Sequence, residues 1–521
     1  DLSGAEFTLK DADGNVMKQS QGINPATGKQ DNVKLINGAQ FAPSANGNIV
    51  LVTNAQGLAG AIANVDLPSA EGLQWVETKA PDGFAINDNP SSVDFAKDNS
   101  IDNSTNNVMD NKANSSKTSD KPLFEVQLDK DSTNAAFDNK LGDAVYELQQ
   151  VDGTAVKQNQ GRDPKTGDSA SVVVLKGTMV QKPDNDIQVK LTDDGQADVK
   201  NLDGMLVGKD VKWVEIDPAS GHALNQEAAK GSFDKVRLSN DHSNFLATSK
   251  TTDKPLGETE VAKLDADTGD NTTQGAGTLE GAEFTLVDKS TQTPIKQSQG
   301  VDPKTGLPTN VVLRAGAKYA PDADGNIVLV TDATGSAHGV QNIDLTNNLN
   351  DQWVETKAPY GYTISDKPVD VTFGPDNKVD DNTNNHEDDK ELGSVVKDRI
   401  VDFGFSFIKA ATDNGATFLN DAEFKLIPQE GTTNSLGQFD NGKDTNVNGQ
   451  DTYIDPNTGL ATPVTDVNQL YLGDTQVSHD WTDPQGGTSA GRVEYDHVQV
   501  GKYHLVESKV PDDHEKMHDL E

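Results

Sequence analysis

The stretch Trp353-Val-Glu-Thr-Lys-Ala-Pro359 occurs in four related copies along this chain. The other copies are Trp75-Val-Glu-Thr-Lys-Ala-Pro81, Trp213-Val-Glu-Ile-Asp-Pro218 and Leu505-Val-Glu-Ser-Lys-Val-Pro511. A second motif, Lys18-Gln-Ser-Gln-Gly22, recurs twice at a spacing of 139 residues, beginning at Lys157 and at Lys296. Self-similarity of this kind is the signature of a repeat architecture, so the chain is predicted to contain four homologous units in series.

Within a unit, apolar residues alternate with polar ones. Ala282, Phe284 and Leu286 are separated by Glu283 and Thr285, which is the pattern of a half-buried strand. Clusters of Pro, Gly, Asn and Asp interrupt such strands about every ten residues, and no segment sustains a helical period. Each unit is therefore predicted to be an all-β sandwich.

Short polar stretches between the units set the predicted domain boundaries. Ser116-Lys-Thr-Ser-Asp-Lys-Pro-Leu123 matches Ser249-Lys-Thr-Thr-Asp-Lys-Pro-Leu256, and both have the composition of linkers. The predicted domains are residues 1–116, 117–249, 250–393 and 394–521. We call them the first to fourth sandwiches.

Composition excludes several classes of function. The chain has 521 residues and a formal net charge of −39, so it would be repelled by nucleic acid. It contains no Cys, which excludes thiol catalysis, disulfides and thiolate metal sites. No apolar run is long enough to span a bilayer, so no membrane insertion is predicted in this sequence.

No cofactor or metal site is predicted. The acidic stretches Asp11-Ala-Asp-Gly-Asn15 and Asp322-Ala-Asp-Gly-Asn326 lack the spacing of a calcium loop and are predicted to be turns. No nucleophile elbow, phosphate loop or zinc-protease motif is present, so the chain is predicted not to be an enzyme that turns over an external substrate.

Four motifs in a fixed order resemble one known family. In the third unit they are Lys263-Leu-Asp265, Leu279-Glu-Gly-Ala-Glu-Phe-Thr-Leu286, Asp324-Gly-Asn-Ile327 and Val354-Glu-Thr-Lys-Ala-Pro-Tyr-Gly-Tyr362. This order is similar to that of the collagen-adhesin B-type (SpaA-like) domains of Gram-positive surface proteins and pilins. The resemblance implies four tandem immunoglobulin-like β-sandwiches. It also implies that each forms an internal isopeptide bond from Lys to Asn or Asp, assisted by the Glu of the Val-Glu motif.

The candidate lysines lie where strand alternation points them into a core. A Lys amine is nucleophilic only when neutral, and burial lowers its pKa. Lys130 follows Phe124, Val126 and Leu128 on one strand face, and Lys263 follows Val261. Lys409 similarly continues the face that carries Phe403, Phe405 and Phe407.

The candidate glutamates each stand two residues from a large apolar or aromatic side chain. Glu215 and Glu355 follow Trp213 and Trp353 in this way, Glu77 follows Trp75, and Glu507 follows Leu505. A carboxyl buried beside an amine has a raised pKa, so these groups are predicted to shuttle protons.

The acceptors are predicted on the last strand of each unit. Asn111 and Asn244 occupy matching positions, each 19 residues before the next unit's Lys, and Asp389 lies 20 residues before Lys409. The predicted triads are Lys130–Glu215–Asn244 and Lys263–Glu355–Asp389, although neighbouring Asn and Asp residues remain alternatives.

The end units are predicted to hold incomplete sites. The first has Glu77 and Asn111 but begins after its Lys strand, and the fourth has Lys409 and Glu507 but stops before its last strand. We interpret the chain as a fragment. A second hypothesis is that the two half-sites complement each other between molecules.

The predicted function is a stalk or adhesin segment, extracellular and anchored to the cell wall in the parent protein. An alternative is that the fourth unit binds a host protein or glycan through its inserted stretch from Gly431 to Thr452. A third hypothesis is a pilus shaft subunit, whose partners would be other surface or pilus subunits.

Overall fold

A computed structural model describes residues 1–66, 72–93, 116–138, 140–347, 350–371, 373, 393–412, 417–428, 452–454, 461–463, 476–482, 485–501 and 503–515. Within these residues the regular structure is β-strand, apart from one 3-10 turn at Ala135–Phe137. The prediction of an all-β fold is confirmed. The chain divides into two compact units, residues 1–255 with 304–306 and residues 256–303 with 307–521.

The strands are numbered in chain order. Those of the first sandwich are β1 (Glu6–Lys10), β2 (Gly22–Ile23), β3 (Gln30–Asp31), β4 (Lys34–Ile36), β5 (Val50–Val52), β6 (Ala61–Ala63), β7 (Gln74–Lys79), β8 (Phe84–Ala85), β9 (Ser91–Ser92) and β10 (Lys121–Pro122). Those of the second are β11 (Phe124–Ser132), β12 (Val145–Gln150), β13 (Gly161–Arg162), β14 (Ser169–Ala170), β15 (Val173–Lys176), β16 (Thr178–Val180), β17 (Gln188–Lys190), β18 (Gln196–Leu202), β19 (Asp210–Asp217), β20 (Ala229–Ser232) and β21 (Phe245–Asp253).

The strands of the third sandwich are β22 (Leu256–Asp265), β23 (Glu283–Asp288), β24 (Gly300–Val301), β25 (Pro308–Thr309), β26 (Val312–Leu313), β27 (Val328–Val330), β28 (Val340–Asp344), β29 (Asp351–Lys357), β30 (Val369–Asp370) and β31 (Gly393–Asp398). Those of the fourth are β32 (Asp402–Ile408), β33 (Glu423–Pro428), β34 (Thr452–Ile454), β35 (Ala461–Pro463), β36 (Gln476–Val477), β37 (His479–Thr482), β38 (Thr488–Gln499) and β39 (Tyr503–Lys509).

The second sandwich shows the architecture most completely. One sheet has the order β14-β13-β18-β11-β21, with β15 also paired to β18, and the other has the order β16-β17-β12-β19-β20. The first strand, β11, lies between antiparallel β18 and parallel β21, which is the last strand. Phe124, Val126, Leu128 and Lys130 are all buried, so the predicted inward face of this strand is confirmed.

The third sandwich repeats this plan. Its sheets have the orders β25-β24-β28-β22-β31 and β27-β23-β29-β30, and the first strand β22 again pairs in parallel with the last strand β31. Trp353 is buried, as is Trp213 in the second sandwich. In the second and third sandwiches the first and last strands therefore lie side by side, with the chain entering at one end of this pair and leaving at the opposite end.

The outer sandwiches are less complete within the described residues. The first contains a sheet of order β5-β1-β7-β9, and the fourth contains sheets of order β32-β38-β37 and β36-β33-β39. Phe403 and Phe405 are exposed, in contrast to the inward face predicted for β32, whereas Phe407 packs against the core at Phe424. Only the end of β32 nearest Lys409 therefore packs against the core of the fourth sandwich.

The strands do not end at the predicted boundaries, and each sandwich is named here for all the strands that pair within it. β10 lies beyond the 116/117 boundary but pairs with β8 of the first sandwich. β21 runs through the 249/250 boundary to Asp253, and β31 runs through the 393/394 boundary to Asp398. The stretch Ser249-Lys-Thr-Thr-Asp253, predicted to be a linker, pairs with β11 over its whole length. Polar composition suggested a linker, but one face of these residues points into the core and the other points to solvent.

Candidate functional site

Three ionisable side chains meet in the core of the second sandwich. Lys130 on β11 has its Nζ 2.5 Å from Glu215 Oε1 and also in contact with Asp253 Oδ2, and all three side chains have 0% exposure. The ring of Tyr146 lies beside the amine, with its centroid 5.2 Å from Nζ. The predicted meeting of Lys130 and Glu215 is present in the structure.

Strand register explains why these residues meet. Lys130 pairs with Thr251 across the parallel strands, so Asp253 lies two residues further on the same face of β21. Glu215 on β19 is held by the backbone N–H of Asn225, which donates to Oε2 at 2.6 Å. The Asn225 amide group in turn donates to Thr251 Oγ1 at 3.1 Å and to the Thr252 carbonyl at 2.9 Å. One loop residue therefore links the glutamate to the acceptor strand.

The third sandwich holds an equivalent triad. Lys263 Nζ lies 2.8 Å from Glu355 Oε1 and contacts Asp398 Oδ2, and the side chains are 0%, 0% and 1% exposed. Lys263 pairs with Val396, so Asp398 is again two residues beyond the lysine's cross-strand partner. Ser365 donates its backbone N–H to Glu355 Oε2 at 2.7 Å, as Asn225 does in the second sandwich.

The environment of both acceptors favours the uncharged carboxyl. Burial, as the largest cause, raises the pKa of Asp253 to about 7 and that of Asp398 to about 7, against the opposing effect of the neighbouring lysine. Apart from the lysine contact, neither carboxylate oxygen of either aspartate accepts a hydrogen bond from a described residue. The carboxyl of each aspartate can therefore remain protonated near neutral pH.

The fourth sandwich contains the lysine and the glutamate together. Lys409 Nζ lies 2.8 Å from Glu507 Oε1, with side-chain exposures of 10% and 0%. The Phe424 ring takes the place of Tyr146, with its centroid 5.8 Å from Nζ. The structure brings these two predicted residues together, and no described residue of this sandwich stands in the acceptor position.

The first sandwich contains the glutamate and an acceptor. Glu77 and Asp120 are neighbours, and burial, as the largest cause, raises the pKa of Glu77 to about 8 and raises that of Asp120. Asn87 donates its backbone N–H to Glu77 at 2.6 Å and its amide to Thr118 Oγ1 and the Ser119 carbonyl. These contacts repeat those of Asn225, so Asp120 occupies the position of Asp253.

The prediction of Asn244 as an acceptor needs correction. Asn244 is buried, but it exchanges hydrogen bonds with Asn201, and its neighbour Phe245 pairs with Phe124 at the far end of β11 from Lys130. Asp253 occupies the position predicted for Asn244. Asn111 and Asp389 lie outside the described residues. Among the described residues, Asp120 lies beside Glu77 and Asp398 contacts Lys263.

A signal for the aspartates that lie beside the buried lysines and glutamates is present in the sequence. Asp120 and Asp253 each stand ten residues before the next unit's Lys, at Lys130 and Lys263, inside the matched polar stretches. Asp398 stands eleven residues before Lys409. The polar composition of the two stretches predicts a linker, and this interpretation assigns no role to the aspartate within them.

Two further observations concern other classes of site. No group of three or more His, Asp or Glu among the described residues could hold a metal ion, and no helix there has the length and apolar character of a membrane span. The inserted stretch of the fourth unit, from Gly431 to Asp451, lies outside the described residues.

Comparisons with solved structures return several pilins and one further bacterial protein, all at low similarity. No protein-family profile and no curated protein matches the chain. The Bacillus anthracis TIE protein is 14% identical, with a TM-score of 0.30, over 100% of this chain and 66% of its own. The Bacillus cereus major pilin subunit BcpA is 14% identical, with a TM-score of 0.23, over 77% and 95%. The Lactobacillus rhamnosus GG shaft pilin spaA is 17% identical, with a TM-score of 0.19, over 54% and 99%. Likeness at these TM-scores carries no argument about function.

Proposed function

We propose that this chain is a segment of an extracellular stalk whose sandwiches are reinforced by isopeptide bonds that the protein makes itself. The proposed bonds join Lys130 to Asp253 and Lys263 to Asp398, with Glu215 and Glu355 as the proton-transferring groups. The observation that carries the proposal is that each lysine amine and its two carboxyl partners meet in a core with no solvent exposure.

In the second sandwich the proposed reaction is a condensation of Lys130 with Asp253. A proton moves from the Lys130 ammonium group to Glu215, which leaves a neutral amine beside a protonated Asp253. The nitrogen attacks Cγ of Asp253 while Glu215 donates to the carbonyl oxygen. The attached nitrogen then gives one proton to Glu215, which passes it to the hydroxyl oxygen as the bond from Cγ to that oxygen breaks and water leaves. The former carbonyl oxygen finally returns its proton to Glu215. The products are one amide and one water, and Glu215 keeps the proton that came from the ammonium group.

Burial supplies the driving force and the proximity. Burying a charged lysine and two charged carboxyls away from solvent costs free energy. Formation of the amide removes two of these three ionisable groups. Holding the amine against the carboxyl makes the condensation unimolecular, and such positioning is worth roughly 7–11 kcal/mol at best. The raised pKa of Asp253, about 7, keeps a protonated carboxyl available near neutral pH.

The place of the bonds fits a protein that bears tension. Each bond would join the first and last strands of a sandwich, so a pull on the two ends would pass through the amide and not through the hydrogen bonds. The sequence resemblance to Gram-positive adhesin and pilin domains supports a cell-surface location, and the net charge of −39 would keep such a stalk hydrated.

The test is the intact mass of the chain. Two Lys–Asp bonds are expected to lower it by about 36 Da, one water for each condensation. Peptide mapping is expected to find Lys130 joined to Asp253 and Lys263 joined to Asp398. A mass equal to that of the unmodified sequence would refute the proposal.

Matched variants assign each bond to its glutamate. Glu215→Gln is expected to abolish the bond in the second sandwich alone, which leaves a deficit of about 18 Da, and Glu355→Gln is expected to do the same in the third. Each variant thus retains an unaltered sandwich as an internal control. A deficit of about 36 Da in both variants would show that these carboxyls are not required.

A further inference from the structure

The second sandwich differs from the others at one position beside its lysine. In all four sandwiches an aromatic residue is the cross-strand partner of the buried glutamate. The pairs are Phe7 with Glu77, Tyr146 with Glu215, Phe284 with Glu355 and Phe424 with Glu507. Of these aromatic residues, Tyr146 alone carries a hydroxyl group.

The Tyr146 hydroxyl lies inside the dry site. Tyr146 is buried, and its oxygen makes no well-aligned hydrogen bond with any described residue, although Glu215 and Thr251 are close enough to influence its ionisation. Burial, followed by the charges of Asp253 and Glu215, raises the pKa of this phenol far above its usual range. The group therefore keeps its proton and can act only as a neutral donor or acceptor.

The site holds acceptors that match this donor. Asp253 Oδ2 contacts Lys130, whereas Asp253 Oδ1 accepts no hydrogen bond from a described residue, so the Tyr146 hydroxyl and one carboxyl oxygen of the same buried cluster are both unsatisfied. Buried polar groups without partners cost free energy that a new hydrogen bond recovers. In the third sandwich Asp398 has the same unsatisfied oxygens, but Phe284 offers no donor.

We propose that the Tyr146 hydroxyl donates a hydrogen bond to the carbonyl oxygen of Asp253 while the amide forms, and that the bond of the second sandwich consequently forms faster than that of the third. Negative charge develops on this oxygen when the nitrogen attacks, and a neutral donor held in the same buried cluster can stabilise the transition state by turning its O–H toward it. The atoms exchanged are those of the proposed reaction, because Tyr146 keeps its proton throughout. The inference rests on the proposed isopeptide function.

The experiment compares the two sites within one molecule. The full chain is made by cell-free translation, aliquots are quenched in acidic denaturant over time, and the crosslinked peptide of each sandwich is quantified after digestion. Tyr146→Phe removes only the hydroxyl and reproduces the residue found in the other sandwiches. It is expected to slow the second bond about tenfold or more relative to the third, the effect of one hydrogen bond of about 1.4 kcal/mol. The reciprocal Phe284→Tyr is expected to accelerate the third bond.

The outcomes separate this inference from the function on which it rests. If neither crosslinked peptide forms in the unaltered chain, the proposed function is wrong. If both form and Tyr146→Phe leaves the ratio of the two rates unchanged, the role of Tyr146 is overturned while the function stands. The Phe284→Tyr variant distinguishes the hydroxyl from ring packing, because a merely structural tyrosine would not speed the third site. An unchanged third rate in that variant would also overturn the role of the hydroxyl.

Discussion

Lys130 and Lys263 are among the largest side chains that are fully buried in this protein. An ammonium group in such a place is stabilised only by its carboxylate neighbours, and breaking a buried pair usually costs several kcal/mol. The residues that meet each lysine therefore determine both the stability of the sandwich and the chemistry it can perform. The triads predicted from the sequence and those found in the structure share the lysine and the glutamate and differ in the acceptor residue. Variants of the acceptor therefore decide between them.

The first prediction tests the corrected acceptor. Asp253→Ala is expected to abolish the bond in the second sandwich, whereas Asn244→Ala is expected to leave the mass deficit at about 36 Da. The reason is that Asn244 bonds to Asn201 and not to the lysine. Intact mass spectrometry of the two variants decides between them. Loss of about 17 Da of the deficit in Asn244→Ala would restore the asparagine as the acceptor.

The second prediction concerns Glu77, whose pKa is raised by burial from 4.5 to about 8. Between these values the folded state holds a proton that the unfolded state has released, so stability falls as pH rises from about 4.5 to about 8. The slope for one proton is at most about 1.4 kcal/mol per pH unit. Protection factors of the β7 amides, corrected for intrinsic exchange, are expected to decline over this range.

A matched variant checks the assignment to this carboxyl pair. Glu77→Gln is expected to reduce the pH slope, and the double variant Glu77→Gln with Asp120→Asn is expected to flatten it, because both carboxyls have raised pKa values. A slope that survives in the double variant would place the titrating group elsewhere in the first sandwich.

Individual residues were predictable to different degrees. The lysines and glutamates follow from strand alternation beside large apolar residues, because a period of two fixes which side chains point inward. The acceptors did not follow, since register between strands far apart in sequence sets which aspartate meets the lysine. Lys130 pairs with Thr251, and only that pairing brings Asp253 within reach.

At the scale of elements, the last strands show the limit of composition as a guide. β21 ends in Ser249-Lys-Thr-Thr-Asp253, which is polar enough to suggest a linker. Its parallel pairing with β11 nevertheless continues to its end, with Lys250 exposed and Ser249 and Asp253 buried. The prediction of sandwiches drew on the alternating pattern of many strands, and it was confirmed. A predicted domain boundary depends on where one strand ends, so a single misinterpreted stretch displaces it.

The third prediction tests the loop residue Asn225, whose side chain is hydrogen-bonded to β21. Asn225→Ala removes two side-chain hydrogen bonds to this strand and retains the backbone N–H that holds Glu215. In a chain that also carries Asp253→Ala, and so cannot form the bond, we expect the free energy of unfolding of the second sandwich to fall by about 1–2 kcal/mol. Hydrogen exchange of β21 under increasing urea measures this change.

The matched control for the Asn225 side chain is Ser365→Ala in a chain that also carries Asp398→Ala. Ser365 holds Glu355 through its backbone N–H, which the substitution retains. We expect a change below about 0.5 kcal/mol in the third sandwich. An equal loss of stability in both sandwiches would indicate that the Asn225 side chain has no special part in fixing the acceptor strand.

For the whole molecule, the fourth prediction is mechanical. With the bond from Lys130 to Asp253 in place, residues 131–252 cannot extend when the chain is pulled from its ends. Asp253→Ala is expected to release them and to add about 40 nm of contour length at roughly 3.3–3.6 Å per residue. Single-molecule force spectroscopy of the full chain measures this increment. The same length in the variant and the unaltered protein would contradict the proposed path of tension.

The parallel pairing of first and last strands has a consequence for damage by proteases. With its amide in place, each complete sandwich is a closed covalent ring that the rest of the chain enters at a lysine and leaves at an aspartate. A peptidase that cuts a hairpin between Lys130 and Asp253 opens the ring but does not part the molecule, because the route through the amide survives. Continuity then depends on the few residues that connect one ring to the next, such as those from Lys254 to Ala262, and most of these lie within β22.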